Sequence, residues 1–403
     1  MRKTLLVLGA SYSQIPLLKA ARRLGVKTIA ATIPGPYQGI EYADEVVWCD
    51  ITKPEEVLAA VRGRSIDGVT TCCMDVGTGT MYAVAKERSL PGPGIGGMAA
   101  VDKSMQKELF RKAGVKTAPY QLVRTPEEVK EACSRIGFPL MIKAVDRNGS
   151  KGVRRADTVE EALEAYESAR RETGKAYVLA EKCLIGEMFG VEAMVSHGQP
   201  AYVLPLGNDL HDGNPPFPQG HHVPWNRARE LETRIRDFAM QVCRSLEFDN
   251  CAVDMDCMLA DDELWVIEAT PRAGATAITD TVSLYYRFDY FEAIVKCALG
   301  EEVSHLFANE GGANASWLIG APADGTLREI VPPASVPEYV YDLSFNVKPG
   351  DQVRRMRSGA DRIGQLIVQG KDAEECHERI RVILSETKIR VTQNVGISGN
   401  SVL

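Results

Sequence analysis

Apolar residues along this chain follow two alternating rhythms. Positions 4–9 are an almost unbroken apolar run ending in Gly9-Ala10-Ser11, and positions 15–24 then repeat apolar residues at helical spacing until Gly25 closes them. Further runs at 27–32, 45–49 and 66–73, with a helical stretch at 54–62, continue the alternation. Strands alternating with helices predict a parallel, doubly wound sheet, because each parallel pair needs a long crossover to return the chain. Such sheets receive ligands at the carboxyl ends of their strands, which places Gly9-Ala10-Ser11 beside a cleft.

The pattern changes after Gly92-Pro-Gly-Ile-Gly-Gly97. These glycines mimic a dinucleotide-binding turn but follow Leu90-Pro91 rather than a strand, so they read as a linker. Beyond it the spacing predicts a helix at 103–112 closed by Gly114, a strand at 120–123, and a helix from Thr125-Pro126 to Ile136. A strand at 138–145, a helix at 158–171 and a strand at 176–183 follow, and 184–192 turns into a further strand. Positions 206–224 are rich in Gly, Pro, Asn and His and lack periodicity, which predicts a long loop serving as a lid or insertion. A strongly amphipathic helix at 227–246 leads into two apolar runs, 252–259 and 264–269, around the acidic turn Asp261-Asp262-Glu263, which read as a hairpin. After a helix at 290–298, short strands at 315–319, 339–347 and 363–368 and a helix at 373–385 suggest a small α+β lobe covering the cleft, and the polar tail from Gln393 should fray.

Composition narrows the function classes. With 403 residues the chain can build two or three cores, and 45% hydrophobic with 25% charged residues is ordinary for a globular protein. The net charge of -7, with basic residues dispersed, argues against nucleic acid as a partner. Ten cysteines without CxxC pairs read as reduced core residues, the cytoplasm is the expected compartment, and no run is long enough to span a membrane.

The chemistry is carried by charges in apolar surroundings. Period-two alternation puts Asp254 and Asp256 on one face of the hairpin, while Glu268 interrupts its apolar partner strand just before Thr270-Pro271-Arg272. A carboxylate in such a strand needs a cation or a donor, and Asp256 with Glu268 would suit a hard ion such as Mg²⁺; a solvated hairpin with scattered acids is the plain alternative. Lys143, within Pro-Leu-Met-Ile-Lys-Ala-Val, needs an anion or a route to water. The adjacent loop Asp146-Arg-Asn-Gly-Ser-Lys-Gly-Val153 can either close over polyphosphate oxygens or serve as a simple turn. His211, His221 and His222 could contact substrate or face solvent, and no third ligand at suitable sequence spacing supports a zinc site.

Taken in order, these residues resemble the ATP-grasp superfamily over roughly residues 4–390, in the branch of carbamoyl-phosphate synthetase, biotin carboxylase and the amino-acid ligases. The matching pieces are the Gly-rich first turn, Lys103, Lys143 with its loop, the segment Ala180-Glu-Lys-Cys-Leu-Ile-Gly186, and Asp256 with Glu268-Ala-Thr-Pro-Arg272. The resemblance implies an α/β and α+β ATP-grasp fold. Its parts would be a doubly wound domain at 1–95, a small lobe at 96–185, a large lobe with the metal site at 186–300 and an α+β lobe at 301–403. It implies ATP and Mg²⁺ or Mn²⁺ as cofactors. Lys103, Lys143, Ser150, Lys151 and Gly152 would hold phosphates, and Glu181, Lys182, Cys183 and Leu184 the adenine. Asp256, Glu268 and Thr270 would bind metal, with Thr270 standing where the family usually has Asn. Met188 stands where a ribose-binding Glu is usual, so either Glu187 replaces it or that contact is lost. Arg272 and Lys143 would be catalytic, and Arg272, His222 and Gly274 would meet the substrate.

The activity so implied joins a small carboxylate to an amine through an acyl-phosphate. Amino acids are suggested by Pro216-Phe-Pro-Gln-Gly-His-His-Val-Pro224, which looks like a Gly-His-x-x-Pro segment of the amino-acid ligases. Bicarbonate activation and a non-catalytic nucleotide-binding regulator are the alternatives, and a homodimer is left open.

Overall fold

The computed structural model describes residues 2–149, 151–212, 216–308 and 311–393. Its first sheet is parallel, in the spatial order Glu45–Trp48, Lys27–Thr32, Thr4–Leu8, Gly68–Thr70. Every residue of Thr4–Leu8 is buried, as expected of a parallel strand covered on both faces. The helix Thr78–Arg88 has no counterpart in the sequence reading. Its residues Thr78, Gly79, Thr80 and Met81 are buried consecutively, so it has no apolar stripe to read.

The glycines at 92–97 do not cradle a ligand. Gly94 N–H donates to Glu247 O at 2.9 Å and Gly96 N–H to Leu246 O at 2.8 Å, so this segment docks backbone to backbone on the turn after helix Glu232–Ser245. A Cβ at Gly96 would lie 2.6 Å from the Leu246 carbonyl oxygen. Gly96→Ala is therefore expected to cost about 1–3 kcal/mol, read as a lowered urea midpoint.

A second sheet, antiparallel, runs Tyr120–Val123, Val178–Lys182, Leu140–Lys143, Val153–Ala156. Helices Pro126–Ile136 and Val159–Glu172 accompany it, with Thr125 and Thr158 capping them through Glu128 N–H and Glu161 N–H at 3.2 Å each. Helix Lys103–Lys112 starts at Asp102, whose carboxylate accepts from Ser104 N–H at 3.0 Å. The buried Gln106 amide fixes this helix to the acidic hairpin, donating to Ala269 O at 2.7 Å and accepting from Ala269 N–H at 3.1 Å.

The largest sheet has eight strands in the order Glu263–Thr270, Cys251–Ala260, Glu187–Ser196, Gln199–His211, Phe217–Val223, Ala313–Ile319, Gly364–Gly370, Val340–Phe345. The long loop expected at 206–224 is thus corrected to the end of one strand and the whole of another. Pairing on both sides, Gly207 with His222 and Gly220 with Trp317, outweighs the poor strand propensity of Gly and Pro. Pro218 sits just past a register shift at Asp209/Leu210, where a missing N–H is tolerated. Through these strands the sheet continues without a break into the strands beyond residue 305. A three-stranded sheet of Gln352–Val353, Gly325–Val331 and Lys388–Thr392 completes the mixed α/β and α+β architecture. No helix among the described residues is long and apolar enough to cross a membrane.

Candidate active site

Two cavities meet between the antiparallel sheets. The smaller, about 630 Å³, is lined by Lys103, Lys107, Lys143, Glu181, Asp256 and Glu268 among others. The larger, about 950 Å³, includes Ser11 and Gln14 from the parallel domain, Arg272 from beyond the hairpin and Met356 to Gly359 from the C-terminal region. Asp256, Glu268 and the loop residues Asn148 and Gly149 line both.

One wall of the smaller cavity carries surplus positive charge. Glu181, 3% exposed, pairs with Lys107 Nζ at 2.8 Å and also with Lys143 Nζ, so one buried carboxylate faces two ammonium groups. Burial pushes the Glu181 pKa up, but Lys107 and Lys143 outweigh it and hold it at about 2. Burial lowers the Lys107 pKa despite its partner. Unbalanced buried charge of this kind suits an anionic ligand.

The facing wall is acidic. Asp256 and Glu268 are register partners across the hairpin, as are Asp254 and Thr270. Glu268 pairs with Lys103 Nζ at 2.9 Å, and Lys103 also donates to Arg147 O at 3.0 Å. For Glu268, burial raises the pKa but Lys103 outweighs it and lowers the net. Asp256 has no such partner: burial, then repulsion from Glu268 and Asp254, push its pKa up to about 8. The Thr270 hydroxyl is buried with no hydrogen-bond partner.

Arg272 is clamped, its Nε 2.6 Å from Asp75 Oδ1 and its Nη1 on Asp254. Burial disfavours its charge, but the two carboxylates outweigh burial and raise its pKa well above the usual value. Ser11 N–H donates to Gln14 Oε1 at 3.0 Å, and Gln14 Nε2 to Cys72 O at 2.8 Å, so the first turn of the parallel domain is fixed at the same cavity.

The structure brings Lys103, Lys143, Glu181, Lys182, Cys183, Leu184, Asp256 and Glu268 to the smaller cavity and Lys151 and Arg272 to the larger. Ser150 lies outside the described residues. Gly152 holds φ +66, and a Cβ there would lie 2.9 Å from that of Ala144, so it shapes the loop. Lys182 donates to Gly137 O at 3.4 Å and to Phe138 O, and Cys183 N–H donates to Pro139 O at 2.9 Å, so these groups brace the lysine strand.

Three of the expected site residues are engaged elsewhere. Glu187 accepts from Trp225 Nε1 at 2.6 Å, while its neighbour Met188 lines the smaller cavity. His222 is turned from the large cavity towards Asp209, and the adjacent His221 faces the cavity instead. In both cases alternation along the strand sends neighbours to opposite faces. Gly274 N–H is used by buried Glu192, at 3.3 and 3.2 Å from its two oxygens, and so is not aimed at substrate.

The sequence reading missed Lys107, Asp75 and the apolar lining of Met141, Ile185, Met258 and Ile267. Lys107 lies four residues after Lys103 on one helix face, which was a usable signal. Ile185 is 65% exposed yet lines the cavity, as a surface for a flat ring would.

Residues 101–212 match the ATP-grasp (A) domain of phosphoribosylglycinamide synthetase, and 317–392 match the L-amino acid ligase C-terminal domain 2. The phosphoribosylglycinamide synthetase of Anaerococcus prevotii superposes with a TM-score of 0.81 at 29% identity, covering 97% of this chain and 100% of that one. The L-amino acid ligase of Bacillus licheniformis gives 0.83 at 18% identity, covering 97% and 99%. Residues 101–212 thus match an ATP-grasp domain, and the chain has the fold of ATP-grasp enzymes over almost its whole length. A formate-dependent phosphoribosylglycinamide formyltransferase of Rhodococcus jostii (strain RHA1) is 27% identical over 397 residues, 95% of this ATP-grasp chain and 94% of the relative. The chain is accordingly an ATP-binding ligase and an enzyme, which sets aside the regulator reading. Enzymes of the superfamily act on small molecules and use ATP with Mg²⁺ or Mn²⁺.

Proposed function

We propose that this ATP-grasp enzyme joins a small carboxylic acid, an amino acid or a close analogue, to an amine. The observation that carries the reading is the shared wall: Asp256 and Glu268 face both cavities, so a nucleotide tail in the smaller and an acid in the larger would meet at the same two carboxylates. Lys143 and Lys107, with one carboxylate between them, would bind phosphate oxygens, and the apolar lining would take the base. Asp256, Glu268 and Thr270 fit a hard cation, since the raised Asp256 pKa and the unpartnered Thr270 hydroxyl are both relieved by one. When bound, MgATP supplies the phosphoryl group that turns a carboxylate into an acyl donor. Arg272, held by Asp75 and Asp254, would orient that carboxylate without moving. A cavity of about 950 Å³ favours an organic acid with an amine over bicarbonate alone.

The test is ADP release across a panel of acids and amines. ADP formation requiring both an acid and an amine is the expected result, and its absence with every pair, or its appearance with bicarbonate and no amine, would overturn the proposal.

A pH dependence follows. Because the folded Asp256 keeps its proton up to a pH of about 8, well above the ordinary carboxylate range, Mg²⁺ must displace that proton at neutral pH. Mg²⁺ affinity should therefore rise with pH and level off above about 8. Calorimetry in two buffers of different ionisation enthalpy should find proton release at pH 7, and none in Asp256→Asn.

A further inference from the structure

We propose a second metal site, for a borderline divalent cation of the zinc class, formed by Asp209, His222 and His377 away from the acidic hairpin. The three residues come from three elements: strand Gln199–His211, strand Phe217–Val223 and the C-terminal helix Ala373–Glu386. One ligand atom from each lies within 4.8 Å of the other two. His377 Nε2 is 2.9 Å from Asp209 Oδ2, and His222 Nδ1 is 3.4 Å from the same oxygen. The two imidazole rings cross at 82° with centroids 5.0 Å apart, so they converge on the carboxylate rather than stack on each other.

Several features make this more than a hydrogen-bonded cluster. His222 is 6% exposed, and its Nε2 is buried without a partner, pressed against Gly207 where no Cβ would fit. A buried imidazole fixed by one long contact gains little from burial, whereas a metal bond at Nδ1 would offset the desolvation of the ring. The register shift falls immediately after Asp209, which still pairs with Gly220 while Gln219 is the extra residue on the facing strand, so the ligand cluster borders a local irregularity of the sheet. Asp209 and His377 are partly exposed, at 18% and 29% of their side chains, which leaves room for water as a fourth ligand.

The donor set decides the class. Two imidazoles and one carboxylate match the tetrahedral nitrogen–oxygen preference of Zn²⁺ and differ from the all-oxygen shell that Mg²⁺ demands. Such an ion would fasten the C-terminal helix to the two strands, with the intervening His221 facing the larger cavity. It would therefore steady that cavity's wall from behind. The ligands escaped the sequence reading because the third, His377, lies 168 residues from Asp209.

The test uses the full chain, stripped with chelator and free of nucleotide, titrated with Zn²⁺ alone and then with Co²⁺ for its visible spectrum. The expected result is about one equivalent of tightly bound Zn²⁺ and the Co²⁺ bands of a four-coordinate site. His377→Gln and Asp209→Asn should each weaken Zn²⁺ binding by roughly 100-fold or more, beyond the 10–100-fold typical of losing an outer partner. Asp256→Asn, in the acidic hairpin, should leave it unchanged. Circular dichroism of the chelator-treated variants separates lost ligation from lost folding, since His377→Gln lies on a part-exposed helix position and keeps the side chain's reach. Equal Zn²⁺ affinity in wild type and His377→Gln, or loss of the bound equivalent in Asp256→Asn, would overturn the proposal.

Discussion

Lys143→Ala is expected to lower ADP formation by about 100- to 1000-fold with far-UV circular dichroism unchanged, the loss typical of one preorganised charge at a reacting group. Lys143 is 8% exposed and shares Glu181 with Lys107, so its removal leaves one cation for one carboxylate. The fold tolerates that balance, but the cavity no longer holds surplus positive charge. Glu268→Ala should reduce turnover comparably for the opposite reason, since it takes one acid from Asp256 and releases Lys103 from its 2.9 Å pair. Near-wild-type rates in either variant would show that the site is misassigned. Glu268→Gln separates charge from shape: it should remain as inactive as the alanine variant while keeping its thermal midpoint.

The second large effect concerns stability. Arg272→Ala should cost about 1–3 kcal/mol, because it leaves the half-buried Asp75 and Asp254 facing each other without their cation. Arg272→Lys should recover little, since a single ammonium cannot reproduce the guanidinium fork that reaches both carboxylates. Adding Asp75→Asn and Asp254→Asn to Arg272→Met should restore most of the loss, because the unpaired charges are then gone. Thermal unfolding of the set, followed by more than one probe since several cores are present, distinguishes this from a loss of packing.

The parts legible in the sequence were those where a residue breaks its local pattern. Lys143, Asp256 and Glu268 are charges inside apolar strands, and the structure places all three on one cavity. The parallel sheet was legible because its strands are mostly apolar and alternate with helices. Which of two neighbours faces a cleft was not legible. Glu187 against Met188 and His222 against His221 each turn on a single step of strand register, which pairing sets and composition does not. Asp75 was hidden for a different reason, since its partner Arg272 lies 197 residues away. The strand Phe217–Val223 was missed because its Gly and Pro carry turn signals that two flanking strands override.

The loop residues Asn148 and Gly149 border both cavities, and the backbone just before them accepts from Lys103. A triphosphate drawing Lys103 to itself would free that carbonyl and let the loop resettle over the acid's compartment. Under the proposed function, the expected kinetic consequence is compulsory order: nucleotide first, acid second. An unreactive acid analogue should then inhibit uncompetitively towards ATP, and acid alone should show no measurable affinity for the free enzyme.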